Sequence, residues 1–137
     1  NIKRNFSKVS VKESNWIIET LGNAFGNPKD GITNYENNSV FTFKSNNTSN
    51  LNKLKNTKIR LYTEPDTLWW KKHRLADYDQ MNAFYIKKLS ESLKEKEFWN
   101  VEYIPTTNKG YRANGERHPH SWAIVDKKNL INWMLEK

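Results

Sequence analysis

The run Lys58-Ile59-Arg60-Leu61-Tyr62-Thr63-Glu64-Pro65-Asp66 decides how the rest of the chain is read. Ile59, Leu61, Tyr62 and Thr63 favour an extended, pleated backbone, and the run alternates as a strand does. Pro65 has no N–H to give to a ladder and stops it. Asp66 then begins something new, because its carboxylate can accept from the free N–H groups of a turn over Thr67 to Trp70. A second strand signal, Trp99-Asn100-Val101-Glu102-Tyr103-Ile104, is closed by Pro105. Between the two, Asp77-Tyr78-Asp79-Gln80 leads into an amphipathic helix. Met81, Phe84, Tyr85, Ile86, Leu89 and Leu93 lie on or near one face, and Lys87, Lys88, Glu91, Lys94 and Glu95 lie on the other. Strand, helix, strand predicts a right-handed β-α-β unit with parallel strands and the helix covering the sheet. Two parallel strands do not make a self-sufficient sheet, so further strands are expected from upstream residues or another chain.

Upstream, Ser10 and Glu13 have the spacing of a capping box, and Trp16, Ile17, Ile18, Leu21, Ala24 and Phe25 follow on one apolar face. Gly26 and Pro28 end that helix. Residues 27–50 read as one long loop rich in Asn, Ser, Thr and Gly, with Tyr35, Phe41 and Phe43 as its aromatic cluster. Downstream of the second strand, Gly110-Tyr111-Arg112-Ala113-Asn114-Gly115-Glu116-Arg117-His118-Pro119-His120-Ser121-Trp122 packs two Gly, two Arg and two of the three His into one loop. Glycine permits turns closed to other residues, and Pro119 holds its own φ while biasing His118 toward extended backbone. Asp126 is a plausible N-cap for a last helix through Leu130, Ile131, Trp133, Met134 and Leu135.

The 137 residues are the size of one domain, 1–137, yet only 36% are hydrophobic. The net charge of +8 favours acidic partners. The lysines are interleaved with acids, as in Lys94-Glu95-Lys96-Glu97, which reads as a solvated helix face rather than a nucleic-acid footprint. The chain has no Cys and only three His, and it lacks the HExxH pattern, so neither a disulfide framework nor a metal site is expected. No cofactor motif is present. No run is apolar and long enough to span a bilayer. Asn1 to Asn5 lack the apolar core of a signal peptide and an initiator Met, so the chain reads as a processed product or a piece of something longer, and its compartment stays open.

In an α/β unit of this kind, the carboxyl ends of neighbouring parallel strands lie along one edge, where open sheets place their ligands. That puts Asp66 and the His118/His120 loop on the same edge. The segments Ile59 to Asp66, Asp77-Tyr78-Asp79-Gln80-Met81-Asn82-Ala83, and Gly110-Tyr111-Arg112 through His118-Pro119-His120-Ser121-Trp122 resemble the C-terminal half of α/β-hydrolase-fold esterase- or lipase-like proteins. The resemblance runs from about Glu13 onward, and the loop is its most specific part. That fold carries its triad in the order Ser, acid, His. By resemblance, Asp66 matches the acid after the penultimate strand. His120 matches the histidine after the last one, because Ser121-Trp122 supplies the small residue and the aromatic that follow it; His118 is the fallback.

The implied activity is hydrolysis of a carboxylic ester or related acyl substrate, with Trp69, Trp70, Arg74, Asp77, Tyr111, Arg112 and Arg117 shaping the pocket. Arg112 or Arg117 could bind an acidic substrate group or hold the loop through a carboxylate. No G-x-S-x-G occurs, and Ser121 is badly placed to be attacked by its neighbour's ring, so the nucleophile and its oxyanion hole must come from an upstream half of the same protein. Two readings compete with this one. A non-catalytic module of the same fold predicts that Asp66 and His120 are out of hydrogen-bonding reach, or that no upstream Ser exists in the full gene. A basic nucleic-acid binder would use Trp69, Trp70 and the lysines.

Overall fold

The computed structural model describes residues 11–136 other than 44 and 46. In chain order the helices and strands are α1 (Val11–Phe25), α2 (Ile32–Asn37), β1 (Ile59–Thr63), α3 (Thr67–Arg74), α4 (Asn82–Glu95), β2 (Val101–Pro105) and α5 (Lys127–Leu135). The strands pair in parallel, from Ile59 opposite Val101 to Thr63 opposite Pro105, and α4 is the crossover that connects them. The protein is therefore mixed α/β. No third strand joins the pair among the described residues, so the additional strands expected from the sequence are not supplied by them.

Alternation along β1 sorts its side chains between two layers. Ile59 and Leu61, with Val101, pack on Leu51, Leu93 and Phe98, of which Leu51 and Leu93 are completely buried. Removing each such side chain from water contributes about 1.5–3 kcal/mol. This face is held down by α4, whose C-terminus has a specific stop. Glu97 adopts φ 58°, its N–H donates to Lys94 O (3.0 Å), and Phe98 N–H reaches back to Leu93 O (3.0 Å). That is the Schellman arrangement, and its usual apolar contact is Phe98 against Leu93. The reversal at Glu97 leaves Trp99 exposed in a turn, so β2 begins two residues later than the alternation predicts.

On the opposite face Lys58 and Arg60 meet α5. Lys58 Nζ donates to the carbonyls of Trp133 (2.5 Å) and Glu136 (2.8 Å), satisfying the end of the helix. The Arg60 guanidinium lies over the Trp133 ring at 4.6 Å, donates to Glu102 Oε2 (2.6 and 2.9 Å) and reaches Asn129 Oδ1 at 2.8 Å. The result is three layers: α4, the strand pair, and α5 standing off on long cationic side chains. Asp126 caps α5 as its position in the sequence implies, accepting from Asn129 N–H at 3.0 Å.

Two expectations change. Residues 27–50 are not one long loop: they contain α2, an antiparallel bridge between Thr42 and Asn47, and the start of a 3-10 turn over Ser49–Leu54. A six-residue helix has little stability of its own, and tertiary hydrogen bonds hold this one. Asn34 donates to Phe25 O, Tyr35 OH donates to Gly26 O at 2.7 Å, and the Asn50 amide donates to the carbonyls of Glu36, Asn37 and Ser39. Polar loop composition concealed an ordered segment because its bonds span 9–14 residues. The second change is in α1, read as a packing helix. Gly26 at φ 82° does end it, and Phe25 packs on Tyr35 at 5.3 Å, yet Trp16 is 66% exposed. The capping box through Ser10 lies outside the described residues.

Candidate functional site

The carboxyl ends of β1 and β2 adjoin, and the segments leaving them are laced together. The lacing centres on Glu64, the residue that follows β1 and precedes Pro65. Its side chain is 1% exposed, and it accepts from Thr106 Oγ1 (2.9 Å), Lys109 N–H (2.9 Å) and Gly110 N–H (3.2 Å). Arg117 Nη2 completes the shell at 2.5 Å. Burial alone would push the Glu64 carboxyl up. The Lys109, Thr106 and Gly110 donors and the Arg117 guanidinium outweigh it and hold the pKa below the ordinary carboxylate range.

Arg117 is the second half of this knot. Nη2 also binds Asp66 Oδ2 at 2.7 Å, Nη1 donates to Gly110 O at 2.7 Å, and the guanidinium sits 5.3 Å from the Tyr111 ring centre. Gly110 is required where it stands, since a Cβ there would lie 2.7 Å from both His118 O and Pro119 Cα. The loop beyond it folds back as a narrow antiparallel turn. Tyr111 bridges Arg117, Arg112 pairs with Glu116 at 2.9 Å, and Gly115 takes φ 82° at the tip.

Asp66 stands at the head of α3, as its sequence position predicts, with Oδ1 accepting from Trp69 N–H at 2.9 Å. Both carboxylate oxygens are thus engaged, one by a helix cap and one by Arg117, and Asp66 shares no hydrogen bond with His120. The two residues also line different concavities. Asp66 borders a crevice of about 250 Å³ between the strand ends, with Glu64, Thr106, Asn108 and Arg117. His120 borders a cleft of about 420 Å³ on the α5 side, together with Arg60, Tyr62 and Leu130.

The tryptophans of α3 carry the histidines. Trp69 is stacked on His73 (4.8 Å, 23°) and meets His118 edge-on at 5.0 Å; Trp70 lies 6.4 Å from His120. Burial, followed by the positive fields of Arg112, Arg74 and His120, lowers the His118 pKa against a smaller opposing pull from Glu116. The neutral form of the His118 ring is thereby favoured. Among the other pocket candidates, Asp77 pairs with Lys71, while Arg112 and Arg117 are both occupied by carboxylates within the protein. Arg74 is half-buried, and Tyr111 is exposed beneath Arg117.

Glu64, Thr106 and Gly110 were not legible as a site. The available signal was charge balance: two acids at Glu64-Pro65-Asp66 facing an arginine-rich loop across a parallel crossover. Among the described residues, no group of three or more His, Asp or Glu could hold a metal ion, and no helix is long and apolar enough to cross a membrane. Comparison of the chain with known proteins produced no match to a family model, a curated protein or a solved structure.

Proposed function

We propose that this chain carries the acid and histidine segments of a serine-dependent hydrolase acting on carboxylic esters or related acyl compounds, with the nucleophile supplied by residues outside it. The observation that supports this reading is the parallel β1-α4-β2 crossover, in which the Asp66 turn and the histidine loop leave adjacent strand ends and are bound together through Arg117. In this reading the sheet is the C-terminal part of an α/β-hydrolase fold. His120 takes the proton from the serine hydroxyl and returns it to the leaving group, and Asp66 orients the ring and stabilises the imidazolium. Each carboxylate oxygen has two lone pairs, so Asp66 can accept from a histidine N–H without giving up Trp69 or Arg117. The histidine loop must then bring the His120 ring over to the Asp66 side of α3.

A specific observation favours a second reading, in which the fold serves as a binding module without hydrolysis: Asp66 is already bound to Arg117 and not to His120. Reaction of the longest natural polypeptide containing this chain with a serine-directed fluorophosphonate separates the two. Hydrolysis predicts labelling that drops about a hundredfold or more in His120→Ala. Labelling unaffected by both His120→Ala and His118→Ala removes the mechanism.

A further inference from the structure

The cleft between β1, the segment after His120 and α5 is chemically uneven. Its lining combines apolar Trp122, Ile124, Val125 and Leu130 with polar Arg60, Tyr62, His120 and Ser121. Among the described residues, no carboxylate lines it. Glu102, the acid that pairs with Arg60, approaches through Nε and Nη2. The remaining nitrogen, Nη1, donates to Asn129 Oδ1 at 2.8 Å and, at the longer distance of 3.4 Å, to Tyr62 OH. Tyr62 therefore accepts from a cation while its own O–H proton has no acceptor among the described residues, an arrangement that strengthens it as a donor. Among the described residues, no hydrogen bond reaches either nitrogen of His120, and the residue is exposed. At about 420 Å³ the cleft falls in the size range of small-molecule sites, and an apolar wall facing a few converging donors is their usual composition.

We infer that this cleft binds a small monocarboxylate, of butyrate to benzoate size, with its apolar body against Ile124 and Leu130 and its carboxylate toward Tyr62 OH and His120. The inference rests on the hydrolase reading only in making such an acid the acyl product; the recognition chemistry stands apart from it. A neutral amide of the same shape places an N–H₂ group where donors converge and binds less well.

The test is a titration of the ¹⁵N-labelled chain with benzoate and butyrate, followed by amide shifts, with benzamide as the control. Saturating shifts at Tyr62, Ile124 and Leu130, with benzamide about tenfold weaker or worse, are expected. Tyr62→Phe should weaken benzoate about tenfold, and Leu130→Trp should fill the cleft and abolish binding. If either variant does not fold, contacts between benzoate ring protons and the Leu130 methyls in the unaltered chain decide the matter. Shifts that fail to saturate, contacts located elsewhere, or benzamide binding as tightly as benzoate would overturn the inference. Saturable carboxylate binding without fluorophosphonate labelling upholds the cleft and removes the hydrolase reading, whereas labelling without carboxylate binding does the opposite.

Discussion

The two faces of the strand pair are built on different principles. Toward α4 the contacts are apolar and dry: Leu51, Leu93 and Phe98 close over Ile59, Leu61 and Val101. Toward α5 the same strand presents Lys58 and Arg60, which reach across to Trp133, Asn129 and Glu102 and leave an open cleft beside them. Apolar burial is non-directional and scales with area, so the first face supplies stability. Long cationic side chains bring modest net stability because desolvation offsets much of the attraction, but they leave directed polar groups facing a space that a ligand can enter. The strand thus anchors the fold on one side and presents chemistry on the other.

The sharpest way to break this contrast is Leu93→Ala. Its side chain is fully buried in the dry layer, and its loss should cost about 3–4 kcal/mol in urea unfolding; a cost below about 1 kcal/mol would mean that this layer is not the core. Glu64→Gln comes next, at about 3 kcal/mol near neutral pH, because it removes the buried charge that a partly exposed guanidinium and three other donors surround. Its pH dependence follows from the depressed carboxyl. The stabilisation is complete above the unfolded-state pKa of about 4.3 and is lost as pH falls below that, toward and through the lower folded-state value. Glu64→Gln should flatten that acid limb, and an unchanged limb would show that other carboxylates control it.

Arg60→Met tests the second face. A flexible apolar side chain can still cover Trp133, so the expected cost is about 1 kcal/mol. A cost equal to that of Leu93→Ala would erase the difference between the faces. The smallest effect has the opposite sign. Glu97 holds a left-handed conformation at the end of α4, and Glu97→Gly should stabilise the protein by about 0.5–1 kcal/mol, read as a shifted unfolding midpoint.

Much of the fold was legible in local pattern. Alternation located β1 and most of β2, the amphipathic period located α4, and Asp66 and Asp126 were readable as helix caps because capping depends on residues only three apart in sequence. The candidate site was legible by topology but not by contact. A parallel crossover puts the Asp66 turn and the histidine loop on one edge, whereas the partner of Asp66 depends on where side chains point. Arg117 took that place, and Glu64, unremarkable in sequence, became the most heavily bonded carboxylate at the edge.

By itself the sequence determined the kinds and order of the elements, the parallel sense of the strands and the edge on which the polar loops gather, because periodicity and crossover length act over a few residues at a time. Only the tertiary structure decided that Glu64 rather than Asp66 lies at the centre of the knot, that Gly110 is needed for backbone to pass within contact of Pro119, and that His120 opens toward α5. Those outcomes depend on which donors meet which acceptors across tens of residues, and a buried carboxylate is held by the full set of donors around it.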